Sequence, residues 1–385
     1  MKRIIAASFA IMLAIAIPLN AQITVDGQLD STGYTLAATQ TNNTGFGDNA
    51  SEWNAMYTAV EGTRIFVLVT GNLENNFNKL EVFFDSVAGG ENSLSSIPEY
   101  DFPDDNPPAW QSQRLGGMIS GTPGLTFDSG FEADYHLFAR HGFDPKAEDF
   151  DFNVLDVDFI DRLGGTSQLI NGNTMRTAFD FDTQIGVGML NSADLANNAA
   201  AGAIVNAIEI GFDNNNMAGV SGDTTVAADP VAAEAVTTGF EFSIDVSDLG
   251  IDPANAATIK ICVMQNGGRH DFMSNQILPG VDAPTGIEFG NLGGDNMGNF
   301  TGDVGGVDMT AWTGDQFFCI DYTPSAGCPF MPGDIDENGA VNLLDVGPFI
   351  DLLGGGDFVC QGDLNNDGTI NLLDVVPFID ILNGG

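Results

Sequence analysis

A twelve-residue pattern near the carboxyl end of this chain occurs twice. DIDENGAVNLLD occupies 334–345, and DLNNDGTINLLD occupies 363–374, 29 residues further on. Each copy sets oxygen-bearing side chains at positions one, three, five, nine and twelve around a glycine at six. These are Asp334, Asp336, Asn338, Asn342 and Asp345, then Asp363, Asn365, Asp367, Asn371 and Asp374. Alternate residues of so tight a loop point inward, and the glycine permits the sharp turn. Three carboxylates per loop would repel one another strongly without a counter-charge. A solvated acidic turn explains one copy but not the same spacing twice. The spacing is the one a hard, oxygen-seeking cation such as calcium requires.

Each loop runs into a near-identical apolar segment, NLLDVGPFIDLL at 342–353 and NLLDVVPFIDIL at 371–382, with ten of twelve positions the same. Leu344, Phe349, Ile350 and Leu353 recur at helical spacing, which predicts one amphipathic helix after each loop. Pro348 and Pro377 leave two options. Either the regular helix begins near the proline, where a first-turn proline is harmless, or it is kinked there at a cost of about 3 kcal/mol.

A duplicated loop followed by a single helix, with no helix before the loop, resembles a type I dockerin over roughly residues 333–383. The resemblance implies that positions one, three, five and twelve hold calcium. It further implies that the backbone carbonyl at seven (Ala340, Thr369) and the side chain at nine (Asn342, Asn371) complete the shell. It implies two bound calcium ions and a paired-helix plug that docks into a cohesin-like partner, typically to assemble secreted polysaccharide-degrading machinery. This chain departs from that pattern where a partner would be recognised. Leu343-Leu344 and Leu372-Leu373 stand where family members often carry hydroxyl residues, and the module has no basic residue at all. Those leucines suit an apolar docking face, or packing against the other repeat or the rest of the chain.

At the other end, Lys2-Arg3 precede an apolar run from Ile4 to Ile17 and a small residue, Ala21. That run is too short to span a bilayer and reads as a secretory signal over 1–21. No later segment reads as a membrane helix, so the expected location is secreted, extracellular or in the cell envelope. Removing the signal leaves 9 basic against 53 acidic residues, a formal net charge of −44, with no Lys or Arg after Arg269. Nucleic acid and anionic membrane surfaces both need basic patches and are excluded as partners. Export permits disulfides. Cys328 and Cys360 each stand shortly before an acidic loop, so a bond between them would staple the duplicated module. Cys262 and Cys319 lie in strand-like runs and either pair across a sheet or remain buried thiols.

Between the two ends the chain reads as short strands separated by Gly/Asn/Asp-rich turns. Ala55–Val60 and Ile65–Thr70 form a hairpin signal, and Lys79–Asp85, Tyr135–Ala139, Phe150–Phe159, Ala203–Phe212, Phe240–Val246, Ile259–Met264 and Phe317–Tyr322 follow. Many short β-branched and aromatic strands without interleaved long helices predict a β-sandwich. Ser86–Gly124 and Asn214–Thr238 read as surface excursions, and alanine-rich pieces near Leu195–Ala203 and Ala232–Ala235 as short helices. The expected fold is mainly β. A large sandwich over 22–322 is followed by a linker over 323–332 and a small α-helical module over 333–385 carrying two EF-hand-like loops.

The opening ITVDGQLD at 23–30, the Tyr57 to Val69 hairpin, LEVFFD at 80–85 and TGFEFSIDVSDLG at 238–250 resemble the DOMON-like group that includes carbohydrate-binding module family 9. The resemblance implies a sandwich that binds a sugar. Sugar binding uses exposed aromatic faces, so Trp53, Trp110 and Trp312 are candidates, with Trp110 singled out by its place in a long Asp/Pro-rich stretch. No nucleophile–base pairing, His metal triad or phosphate loop announces an enzyme, and His136 and His141 are five apart with His270 remote. The reading is a non-catalytic glycan-binding protein with a calcium-folded attachment module, serving extracellular polysaccharide breakdown. Two others stay open: a hydrolase of O-glycosyl bonds carrying the same module, and a structural cell-envelope protein.

Overall fold

The computed structural model describes residues 23–94, 124–143, 153–161, 168–170, 179–180, 182–190, 206–223, 226–267, 273–281, 291–292, 307–324, 331–336, 338–355, 359–365 and 369–382. They form two antiparallel sheets. The first runs in the order β1 (Thr35–Thr39), β2 (Glu52–Glu61), β3 (Arg64–Asn72), β11 (Gly239–Asp245), β10 (Ile208–Asp213), β9 (Ile185–Leu190), β8 (Phe179–Asp180). The second runs β14 (Asn291–Leu292), β13 (Met273–Leu278), β12 (Ala257–Asn266), β4 (Lys79–Asp85), β5 (Tyr135–Phe143), β6 (Asn153–Asp161), β7 (Gln168–Ile170). A further strand, β15 (Phe318–Tyr322), lies on β12 beside β13's stretch.

Period-two alternation places the core. In β3, Ile65, Val67 and Val69 face inward; in β4, Leu80, Val82 and Phe84; in β6, Leu155, Val157 and Phe159. The β2–β3 hairpin turns through Gly62-Thr63, pairing Glu61 with Arg64 as its spacing predicts. Trp53 is fully buried in this core.

Each sheet is also partly covered on its outer face. Phe83, Phe127, Phe131, Phe138, Met264 and Trp312 form a second apolar layer on the second sheet. Across the first sheet runs a strap, residues 23–34, whose Ile23 and Val25 pack on Phe66. Glu241 fastens it, accepting from the Asp26 and Gly27 amides at 2.9 and 2.8 Å and from the Tyr34 hydroxyl. The strap crosses β10 where that strand has Gly211, whose absent Cβ would stand 2.5 Å from the Gly27 nitrogen.

The stretch from Asn214 to Thr238 is not a surface excursion where it is described. Asn216, Val220, Ala228, Ala233 and Val236 are buried, and the short helix α1 (Pro230–Glu234) belongs to it. Asn216 donates to Glu52 at 3.0 Å, Asn72 donates to the Asn216 carbonyl at 2.7 Å, and Val220 donates to Asn54 at 2.7 Å. Turn-forming asparagines here make a buried polar network instead of a solvated loop. Leu195–Ala203 lies outside the described residues.

After β15 come two helices, α2 (Val346–Leu353) and α3 (Val375–Leu382). Pro348 and Pro377 are the third residues of each, inside the first turn, where the missing N–H has no partner to lose. The helices begin near the proline and are not broken by it.

Candidate metal centre

The first acidic loop folds through its own side chains. Asp334 accepts from the Asn338 and Gly339 amides at 3.0 and 2.8 Å, and Asn338 accepts from the Ala340 amide at 3.0 Å. Gly339, at position six, has φ of +87°, a conformation that L side chains rarely adopt. Asp345, at position twelve, returns to the loop, accepting from the Asp336 amide at 3.1 Å and the Asn342 amide at 2.8 Å. The carboxylates of Asp334, Asp336 and Asp345 thereby lie within 4.8 Å of one another, the first and third buried and the second exposed.

The second loop repeats the closure. Asp374 accepts from the Asn365 amide at 3.1 Å and the Asn371 amide at 2.8 Å, the same two positions, and from Leu364 at 2.7 Å, the counterpart of Ile335 on Asp345. Asn371 bonds Thr369 at 2.7 Å, as Asn342 bonds the Ala340 carbonyl at 2.9 Å. Asp367 lies outside the described residues; Asp363, Asn365, Thr369, Asn371 and Asp374 lie within them.

These donors fit a calcium ion. Oxygens at about 2.3–2.6 Å from one centre are at most about 5 Å apart, which accommodates the observed cluster. Two unit charges about 4 Å apart repel by about 1 kcal/mol in water and about 4 at a partly buried site, so three of them call for a cation. Burial raises the Asp345 carboxyl, but the amides of Asn342, Asp336 and Ile335 outweigh it and hold the group below its ordinary range. It is thereby kept in the ionised form that a metal binds.

The two repeats share a small core. Phe349 and Phe378, both buried, stack with ring centroids 4.2 Å apart. The Gly333 amide donates to the Gln361 carbonyl at 2.8 Å, tying the start of one loop to the turn that precedes the other. Cys360 is disulfide-bonded; its expected partner, Cys328, lies outside the described residues.

No known protein family, curated protein or solved structure matches this chain.

Other predicted site residues fall differently. Cys262 and Cys319 do not pair: both are free thiols, Cys262 buried and Cys319 exposed. In the β12–β15 register Cys319 stands opposite Lys260, so it is diagonal to Cys262. Diagonal neighbours are about 7–8 Å apart, beyond ordinary disulfide geometry. Trp53 and Trp312 are buried core residues, not sugar platforms, and Trp110 lies outside the described residues. His136 is engaged with Glu81 at 2.7 Å, both fully buried, and stacks on Phe83 at 4.0 Å. His141 bonds the Leu73 carbonyl at 3.1 Å.

Helical spacing alone misplaced part of the apolar face. Phe349 is buried as expected, whereas Leu344 and Ile350 are exposed. Together with Leu343 (81% exposed), Leu372 (79%), Leu373, Val376 and Ile379, they leave the module with far more open apolar surface than one packed face predicts. Among the described residues, no helix is long and apolar enough to cross a membrane.

Proposed function

We propose that this chain is an exported, non-catalytic calcium-binding protein. Its sandwich engages a glycan, and its C-terminal pair of acidic loops is a calcium-folded attachment module of dockerin-like design. The observation that carries the reading is the clustering of Asp334, Asp336 and Asp345 within 4.8 Å, with the same closing hydrogen bonds repeated around Asp374. Asp345 and Asp374 close their loops and hold the metal. Asp334, Asp336 and Asn338, with Asp363, Asn365 and Asp367, supply the other side-chain ligands. The Ala340 and Thr369 carbonyls and the Asn342 and Asn371 side chains complete each shell.

Attachment is supported by the exposed leucine pairs just before the last aspartate of each loop. The module carries no cationic group, so a cohesin-like or other envelope partner meets an apolar surface with an acidic rim. The glycan role rests on the resemblance of the sandwich alone, and Trp53 and Trp312 take no part in it.

Thermal unfolding of the exported form, with calcium and with chelator, tests the calcium reading. Free calcium at a hundred times the dissociation constant adds about 2.7 kcal/mol per site, large for a module with so small a core. The expected outcome is a low-temperature transition that calcium raises and Asp345→Asn with Asp374→Asn abolishes. A transition indifferent to calcium counts against it.

A further inference from the structure

The strap does not cover all of the first sheet. Beyond β10, strand β9 turns Ile185, Val187 and Met189 outward, and all three are exposed. Glycines at 186 and 188 occupy alternate positions, so every large side chain of that stretch lies on the outer face. Between the strap and this stripe lies a cleft of about 790 Å³. Val25 and Phe66 line one side, Val187 and Met189 the other, and Asn365 and Leu373 of the second acidic repeat stand at its rim. Leu343 and Leu344 of the first repeat do not line it.

We propose that this cleft is the seat of the second repeat. Leu373 packs on the Val187–Met189 stripe as an intramolecular clasp that calcium tightens. The calcium part rests on the function proposed above.

Charge makes the seating depend on a cation. The cleft carries Glu61, Glu209 and Asp245 against a single cation, Arg64, and the approaching loop brings Asp363 and Asp374. Two acidic bodies attract only through their apolar surfaces, and a divalent ion in the loop removes much of the repulsion between them. Leu373 is 61% exposed and Val187 52%, so closing the cleft buries apolar surface on both sides. The linkage is also mechanical. Asp374, adjacent to Leu373, accepts from the Asn365 amide at 3.1 Å, so one metal-binding carboxylate joins the two residues at the rim. The clasp makes two near-identical repeats unequal: the second is held by its own sandwich, and the first keeps Leu343 and Leu344 for a partner.

The test is disulfide trapping in the exported full chain, in a Cys319→Ser background that removes the exposed thiol. The pair Met189→Cys with Leu373→Cys is oxidised under mild conditions in calcium and in chelator, and the bond is located by mass spectrometry. A parallel chain carries Met189→Cys with Leu344→Cys, and calcium binding to both is measured by calorimetry. The expected result is an intrachain 189–373 bond that forms several-fold faster in calcium, with no 189–344 bond. Calcium binding without the 189–373 bond overturns the clasp while leaving the calcium reading intact. A bond formed at equal rates in calcium and chelator overturns the linkage. A bond that forms only between chains makes a second copy the occupant and overturns the proposal.

Discussion

Phe349 and Phe378 stack on each other at 4.2 Å, and each lies four residues beyond the last acidic position of its loop, Asp345 and Asp374. One helical turn separates carboxylate from ring, so each loop is braced by the core it shares with the other. The two loops are therefore expected to behave as one folding unit.

Replacing Phe378 with Ala tests that coupling. Truncating a buried phenylalanine costs about 3–5 kcal/mol, comparable with the whole stability of so small a core. The expected outcome is loss of the module's own unfolding transition and a weakened first calcium site, 33 residues away in sequence from the substitution if counted to Asp345. The sandwich transition should stay within a few degrees of the parent. Calorimetric unfolding together with calcium titration reads both.

Acid should stabilise the sandwich through two buried carboxyls. Burial pushes Glu52 up to about 7, against hydrogen bonds from Asn49, Asn54 and Asn216. Burial likewise pushes Glu241 up to about 7, against those from Tyr34, Gly27 and Asp26. A folded-state value above the ordinary 4.5 means that the folded chain holds the proton more tightly. The stability these groups contribute is fully present below about pH 4.5 and is lost as pH rises through about 7. Glu241→Gln keeps an oxygen for the Asp26 and Gly27 amides but cannot ionise. Its unfolding midpoint should fall less steeply than the parent's between pH 4.5 and 7, and equal slopes would contradict the assignment.

Thiol counting checks the cysteines. Cys319 is exposed, whereas Cys262 is buried with its thiol pushed well up by desolvation. A water-soluble thiol reagent should modify one cysteine per native chain, slowly at neutral pH because the Cys319 thiol is also raised. Denaturation should expose a second, and prior reduction two more if Cys360 is bonded to Cys328. Two reactive thiols in the native chain would contradict the buried placement of Cys262.

Strands with large apolar residues on their inward positions were legible in the sequence. Lys79–Asp85 alternates leucine, valine and phenylalanine inward, and its bounds match β4. Strand β9 was not legible, because glycines hold its alternate positions and Ile185, Val187 and Met189 face outward. Strand β13 hides behind Ser274, Asn275 and Gln276, which serve a buried polar network that reaches the Asn42 and Asn43 carbonyls. Such partners are distant in sequence and leave no periodic trace. Trp53 and Trp312 failed as site markers for a related reason: the same ring serves core and platform, and only tertiary packing distinguishes them. The acidic loops were legible because their hydrogen bonds are local, most spanning two to five residues within twelve.

The central claim is that each acidic loop holds one divalent ion. Equilibrium dialysis of residues 22–385 against calcium, with bound metal counted by atomic emission, measures this directly. The account predicts two calcium ions per chain, one in Asp345→Asn and none when Asp374→Asn is added. A parent chain that retains no calcium, or a double variant that retains both ions, would contradict it.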